Sequence, residues 1–308
     1  MANEEAVKAG GITVGVTNPG KVFFPADGIT KSDLAAYYAA AAPLILPQVK
    51  DRPVTMARYP DGITGERIVQ KNIPRHFPDW VSRTEVPKEG GVVCHVLADK
   101  PATLVYLAGQ GCIEPHVFLS RTGALDRPDQ LVFDLDPATG SGFGDARRGA
   151  LWLRELLAGE LGLVPYVKTT GGKGLHVHVP LPGRDSFEEV RAFAREVAGL
   201  LAARHPDVIT TEQRRQQRGG RVYADIMRNA YAQTVIAPYA VRARPGAPIA
   251  TPVSWDEVAD PELSPQRFTL RGGGGRPAGA NGAGPWSGMT RHRRSLDGPS
   301  RRLRALAG

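Results

Sequence analysis

Cysteine is scarce in this 308-residue chain, with Cys94 and Cys112 the only two. Neither belongs to a CxxC pair, which argues against a zinc ribbon and a disulfide framework. No apolar run approaches the roughly 20 residues needed to cross a bilayer. The opening MANEEAVKAGG is acidic and short and lacks the order of a secretory signal. A cytoplasmic protein without a membrane partner is expected. The phosphate-loop pattern GxxxxGK[ST] is also missing. A basic excess is missing from most of the chain too. The net charge is +8, but from Arg271 onward eight arginines face a single acid, Asp297, so that segment is +7 and residues 1–270 carry about +1. Any nucleic-acid groove in the body must therefore be a local patch.

Hydrophobic residues make up 42% and charged residues 23% of the chain, ordinary values for a globular protein with a sizeable core and room for two lobes. The segment from Gly272 is rich in Gly, Pro and Arg and poor in apolar residues. It should bury too little surface to offset chain entropy, so 271–308 is expected to be a disordered tail. It could hold phosphate backbones electrostatically or serve as a solvated tail. Residues 1–11 are expected to be flexible, leaving 12–270 as the folded body.

The chain is organised around LVFDLDPATG, residues 131–140. Leu131, Val132 and Phe133 are strand formers, and side chains in a strand alternate faces. Asp134 and Asp136 then share one face, with Pro137 closing the strand. Two anions side by side in a partly dry place repel. A divalent cation bound through oxygen ligands, magnesium or manganese, would offset that repulsion. The plainer alternative is that the pair caps a turn.

Upstream, residues 10–25 read as one or two strands turning at Asn18-Pro19-Gly20. Thr30 with Asp33 forms a capping-box pattern opening a helix from about Lys31 to Leu46. Residues 52–72 read as two short strands around Pro60-Asp61-Gly62, with Arg58, Arg67 and Lys71 lending basic character. Val86–Leu97 and Ala102–Leu107 suit strand or helix. Downstream, strand 131–136 is followed by a helix over about Gly144–Leu161, strands 164–169 and 174–180, a helix from Ser186-x-x-Glu189 to about Arg204, and strands 221–227 and 233–238. Up to 227 the order is βαββαβ, the ferredoxin-like unit. It puts the first strand at the sheet centre and the fourth beside it, which would bring Asp225 to Asp134 and Asp136 as a two-metal cage for phosphoryl transfer. The turn in KTTGGKGLH (168–176) places Gly171, Gly172 and Lys173 where backbone amides and a lysine could meet an anion. His176 and His178 share a face, either as core histidines or with His176 as a donor to a phosphate oxygen.

DLDP (134–137), the KTTGGKGLH turn and VYADIMRN (222–229), in this order and spacing, resemble the primase-like polymerase domain of bacterial DNA ligase D, of the archaeo-eukaryotic primase superfamily. NPGKVFFPADGITKSDLAAYY, RPVTMARYPDGI and QTVIAPYAVRARPGAPIATPVSWDE extend the likeness over about residues 12–270. The resemblance implies an α+β fold: a primase-like core with an RRM/ferredoxin-like βαββαβ sheet and an N-terminal α/β lobe. It also implies a nucleotidyltransferase, a DNA-directed polymerase that prefers ribonucleotides and extends primer ends or fills gaps during repair of DNA double-strand breaks by end joining. Asp134, Asp136 and Asp225 match its catalytic metal triad for two manganese or magnesium ions. Thr170, Gly171, Gly172, Lys173 and His176 match its nucleotide-binding turn, with Thr170 in place of the usual serine. His116, Arg218 and Arg242 match further nucleotide-binding positions, and Lys21 and Lys31 match lysines that hold a DNA 5′-phosphate. The implied partners are a primer-template with a 5′-phosphate, NTP or dNTP, a separate ATP-dependent DNA ligase and a Ku-type end-binding protein. The implied location is the nucleoid.

Some positions depart from the family pattern. Ala57 stands at a basic position, Arg228 replaces a glutamine, and Ile68 and Val69 replace two aromatics that stack on the template. Three other readings compete: a catalytically inactive nucleic-acid-binding module, a two-metal nuclease or phosphatase, and a primase that starts chains unaided.

Overall fold

The computed structural model describes residues 3–138, 141–272 and 284–307. These form two compact units, Met1–Gly123 with Thr234–Thr251 and Phe268–Gly284, and Ala124–Gln233 with Pro252–Arg267 and Pro285–Gly308. No helix among the described residues is long and apolar enough to cross a membrane.

The first unit is built on an antiparallel sheet in the order Thr234–Ile236, Cys112–Phe118, Pro53–Arg58, Gly91–Leu97, Arg83–Lys88, with Ile68–Gln70 also paired to Pro53–Arg58. Helices Lys31–Val49 and Pro101–Gly109 pack against each other. The expected capping box is present: the Thr30 hydroxyl accepts from the Asp33 amide, and the Asp33 carboxylate accepts from the Thr30 amide. The helix runs on past Leu46 to Val49 in spite of Pro43 and Pro47, because Ala41, Ala42 and Ile45 are buried along its core stripe. Val86–Leu97 falls in a hairpin, and the undecided segment Ala102–Leu107 lies in a helix that starts with Pro101 at its first turn, where no backbone N–H is required.

The N-terminal residues depart from the flexible arm expected for 1–11. Glu4–Ala9 pairs antiparallel with Ile12–Thr17. The link between them is Gly10 and Gly11 at φ 59° and 82°, a two-residue turn with both residues in the left-handed range that matches the twist of a hairpin. That Gly-Gly turn was the signal to read.

The second unit holds the six-stranded sheet Ile209–Thr210, Val222–Asp225, Gln130–Pro137, Leu175–Pro180, Tyr166–Thr169, Pro252–Val253. Its central strand, Gln130–Pro137, lies antiparallel between Leu175–Pro180 and Val222–Asp225, as the βαββαβ order requires. Leu131, Phe133 and Leu135 are buried on one face, where helices Phe143–Arg154 and Phe187–Arg204 pack. The first helix closes with a π-helical turn, Glu155–Glu160. The second opens on the expected Ser186–Glu189 capping box. Gly149 lets its helix settle on the sheet, since a Cβ there would stand 2.7 Å from Ile209 Cδ1. The short edge strands Ile209–Thr210 and Pro252–Val253 escaped the sequence reading because two-residue strands carry no periodicity.

The tail departs from expectation as well. Within the described residues 284–307, a helix spans Asp297–Ala307. Trp286, Met289, Leu296 and Leu303 are buried, and the Trp286 indole donates to the Val167 carbonyl at 3.0 Å. Few apolar residues suffice when one is a tryptophan, because a single large ring buries the area of several small side chains. The rest of the expected disordered stretch, 273–283 and 308, lies outside the described residues.

Asn229 pins the central strand. Its Oδ1 accepts from the Val132 amide at 2.8 Å, and its Nδ2 donates to the carbonyls of Val132 (2.7 Å) and Ile226 (2.9 Å), all buried. Asn229→Ala should cost about 3 kcal/mol in urea unfolding, since it strands buried backbone groups. A loss below about 1 kcal/mol would show that other groups take over these bonds.

Candidate active site

Strand register assembles the acidic centre in the second unit. Asp134 is the cross-strand partner of both Asp225 and His176, while Asp136 faces Tyr223. Directly opposed residues project to one side of a sheet, and so do residues two apart. The three carboxylates predicted from sequence therefore share a face with His176, on the side opposite the helix-packed core.

Their electrostatics differ. Burial by itself would raise the pKa of Asp134, but the charge and proximity of His176, with Arg228 and Lys168 behind it, hold it below the usual carboxylate range. His176 Nε2 stands 3.4 Å from Asp134 Oδ2. Asp136 is pushed up, first by burial and then by repulsion from Asp134, although Arg218 lies 3.5 Å away. Asp225 is also raised, by burial and by Asp134, while its Oδ1 accepts from the Met227 amide at 2.7 Å. Burial and the neighbouring Asp225 push the Tyr223 phenol up to about 12.

One carboxylate pKa held down and two pushed up, each of the two raised in part by Asp134, mark a face crowded with acidic groups and suited to a cation. Among the described residues, no group of three or more His, Cys, Asp or Glu side chains is already drawn together as a metal cage. The carboxylates share a face, but they are held by Arg218, His176 and backbone amides rather than converging on one point. The cage expected from sequence is thus only partly assembled. Oxygen donors of this kind and number still fit magnesium or manganese, which accept a few carboxylates and complete their shells with water and phosphate oxygens.

The glycine turn is shaped by Thr170. Its hydroxyl accepts from the Gly172 and Gly174 amides at 3.2 and 3.3 Å, and its backbone amide donates to the Gly174 carbonyl at 3.0 Å. The Gly172 amide, one of those expected to face an anion, is therefore turned inward together with that of Gly174, because the Thr170 hydroxyl competes for both. Gly171 has φ 63°. A Cβ at Gly174 would lie 2.1 Å from the Leu135 carbonyl oxygen, so the turn sits directly against the acidic strand. Lys173 is exposed at its tip. Arg218 is buried, stacked 4.1 Å over the Tyr223 ring and tied to the Glu212 and Gln213 carbonyls.

The first unit carries its own polar cluster. Alternation along Cys112–Phe118 puts Glu114 and His116 on one face. Glu114 Oε1 accepts from Arg242 Nε at 2.8 Å and from the Ala243 amide at 3.0 Å, and His116 Nε2 lies 3.6 Å from Oε2. Burial would raise Glu114, but His116, Arg242 and the Ala243 amide outweigh it and hold it far below its usual value. Burial in turn lowers His116, against the pull of Glu114. Lys31 is buried, donates to the Thr17 carbonyl at 2.8 Å, and is lowered by burial and by the charges of Lys21 and Arg58. Lys21 is bonded to Asp61 at 2.6 Å. Ile68 and Val69 stand 40% and 52% exposed, and Ala57 is buried.

Three residues of these clusters were not singled out from sequence. Lys168 acts through charge on Asp134, Tyr223 lies between Arg218 and Asp225, and Glu114 organises His116 and Arg242. The alternation Lys168-x-Thr170 and Glu114-x-His116 carried the signal for two of them.

The chain matches the model of the LigD primase-polymerase domain over residues 30–278. It is 35% identical over 257 residues to the multifunctional non-homologous end joining protein LigD of Mycolicibacterium smegmatis, covering 83% of this chain and 34% of that protein. The corresponding protein of Pseudomonas aeruginosa is 31% identical over 301 residues, 98% of this chain and 36% of that one. The chain thus spans about a third of the length of these curated relatives. Among solved structures, the polymerase domain of Mycobacterium tuberculosis ligase D in complex with DNA superposes with a TM-score of 0.79 at 34% identity, covering 83% of this chain and 91% of that one.

Glu114→Gln should destabilise the first unit by about 3 kcal/mol at neutral pH, because it leaves Arg242 with a weakened buried partner. A carboxylate lowered by folding stabilises above its unfolded value of about 4.3 and loses that contribution as pH falls. The gap between wild type and variant in thermal melts should accordingly shrink below about pH 4.3. A gap that stays constant with pH would show that the carboxylate charge is not what matters.

Proposed function

The chain belongs to the LigD primase-polymerase family, and from that premise we propose that it is a template-directed nucleotidyltransferase that extends primer 3′ ends or fills gaps during end joining of broken DNA. The observation that carries this reading is the register that opposes Asp225 to Asp134, with Asp136 on the same face and the glycine turn against the same strand. Asp134, Asp136 and Asp225 would hold two divalent cations, manganese or magnesium. When bound, such ions supply positive charge at the transferring phosphoryl group and lower the pKa of the attacking hydroxyl.

The chain's own residues supply position and charge. Lys173 and the turn braced by Thr170 receive the triphosphate, with Gly171 and Gly172 allowing close approach. His176 holds Asp134 ionised and offers a donor on the same face. Arg218, rigid against Tyr223, balances Asp136 until phosphate arrives. In the first unit, His116 and Arg242 are assigned to nucleotide phosphate, and Lys21 and Lys31 to a DNA 5′-phosphate. The charges of Lys21 and Lys31 already repel, a cost that an anion would relieve. Nearly all of the catalysis is electrostatic and positional. A preference for ribonucleotides, cooperation with a separate ligase and a Ku-type protein, and residence at the nucleoid complete the proposal.

Extension of a recessed, 5′-phosphorylated primer-template with labelled NTP or dNTP and manganese or magnesium tests it. Asp136→Asn should reduce extension by about 10²- to 10³-fold or more. Its melting temperature should hold or rise, because repulsion from Asp134 is relieved. Extension at the wild-type rate would remove the triad from catalysis, and shortening of the labelled strand would indicate a nuclease.

Lys21→Glu should weaken binding to phosphorylated ends and leave binding to unphosphorylated ends nearly unchanged. Equal anisotropy titrations for both ends in the wild-type protein would withdraw that assignment.

A further inference from the structure

The second unit carries a groove that none of these assignments uses. The edge strand Ile209–Thr210 covers only the start of Val222–Asp225, at Ile209↔Val222 and Thr210↔Tyr223. Beside it opens a cavity of about 190 Å³ lined by Tyr223, Gln213 and Arg195 among others. Arg195 also lines a second cavity of about 440 Å³, whose other walls include Arg191, Phe187 and Tyr231. The two share Arg195 on helix Phe187–Arg204, the smaller lying by the strand that bears Asp225 and the larger by Tyr231.

The walls combine cations with an exposed ring. Arg195 is exposed and makes no hydrogen bond or ion pair among the described residues. Arg191 sets one guanidinium nitrogen 3.0 Å from Met227 Sδ, and its Nε is buried without a hydrogen-bond partner among the described residues. Tyr231 is 40% exposed. The buried Phe187 meets it edge-on at 6.0 Å and props the ring against the helix. One acid, Glu188, opposes the two arginines.

We propose that this groove takes a short single-stranded stretch of nucleic acid, with backbone phosphates on Arg195 and Arg191 and a base stacked on Tyr231. Alternating cations and an aromatic face are what a flexible anionic chain with planar bases requires. One of its two cavities borders the strand that carries the third carboxylate. The inference rests on the polymerase reading for its biological sense, since it says where the unpaired strand lies. It does not rest on that reading for binding.

The test is fluorescence anisotropy with a labelled oligothymidylate over a range of salt, beside primer extension on a long template overhang. Tyr231→Ala should weaken oligonucleotide binding about tenfold, and Tyr231→Phe should restore it. Arg195→Ala should lower the slope of log affinity against log salt by about 0.7, the loss of one phosphate contact on a single strand. Melting temperatures of these surface variants should match wild type. Unchanged affinity and slope alongside normal extension would overturn the groove, as expected if a peptide occupies it instead. The predicted losses with no extension by the wild-type protein would uphold the groove and sink the polymerase reading.

Discussion

The antiparallel pairing of Gln130–Pro137 with a strand on each side is the constraint on which the acidic centre depends. Residues far apart in sequence, Asp134, His176 and Asp225, become neighbours only through this register. A shift of one residue would send the carboxylates into the apolar face under the helices. Leu131, Phe133 and Leu135 prevent that shift, since exposing three buried side chains costs far more than any polar gain on the other side. The hydrophobic face thus dictates where the charged one falls.

Holding like charges together is unfavourable, and the surroundings distribute that cost unevenly. His176, Arg228 and Lys168 secure Asp134 as an anion, whereas Asp136 and Asp225 are left with raised values. This asymmetry suits a site that waits for positive charge to arrive with its substrate. Rigidity comes from groups outside the chemistry. Thr170 braces the glycine turn, Gly174 permits contact with Leu135, and Asn229 supplies the backbone bonds that Val132 would otherwise lack. Precise positioning of this kind is worth more to phosphoryl transfer than any single reactive side chain.

Much of this was legible from residues alone, though unevenly. Capping boxes at Thr30 and Ser186 marked two helices because their signal is local, a hydroxyl and a carboxylate three residues apart. The βαββαβ order predicted the sheet centre because short right-handed connections leave few topologies. The Gly10-Gly11 hairpin and the ordered C-terminal residues were misread because composition averages over a segment. A pair of glycines, or one tryptophan such as Trp286, can decide structure against that average.

By itself, the sequence determined the alternation that puts Asp134 and Asp136 on one face, the glycine turn, and the family to which the chain belongs. Only the tertiary structure decided that Asp225 lies opposite Asp134, that Thr170 draws two turn amides inward, and that Glu114 organises His116 and Arg242. The division has a physical cause. Backbone geometry repeats over a few residues and leaves a local trace, whereas the protonation and partners of a buried charge depend on groups the chain brings near it from tens of positions away.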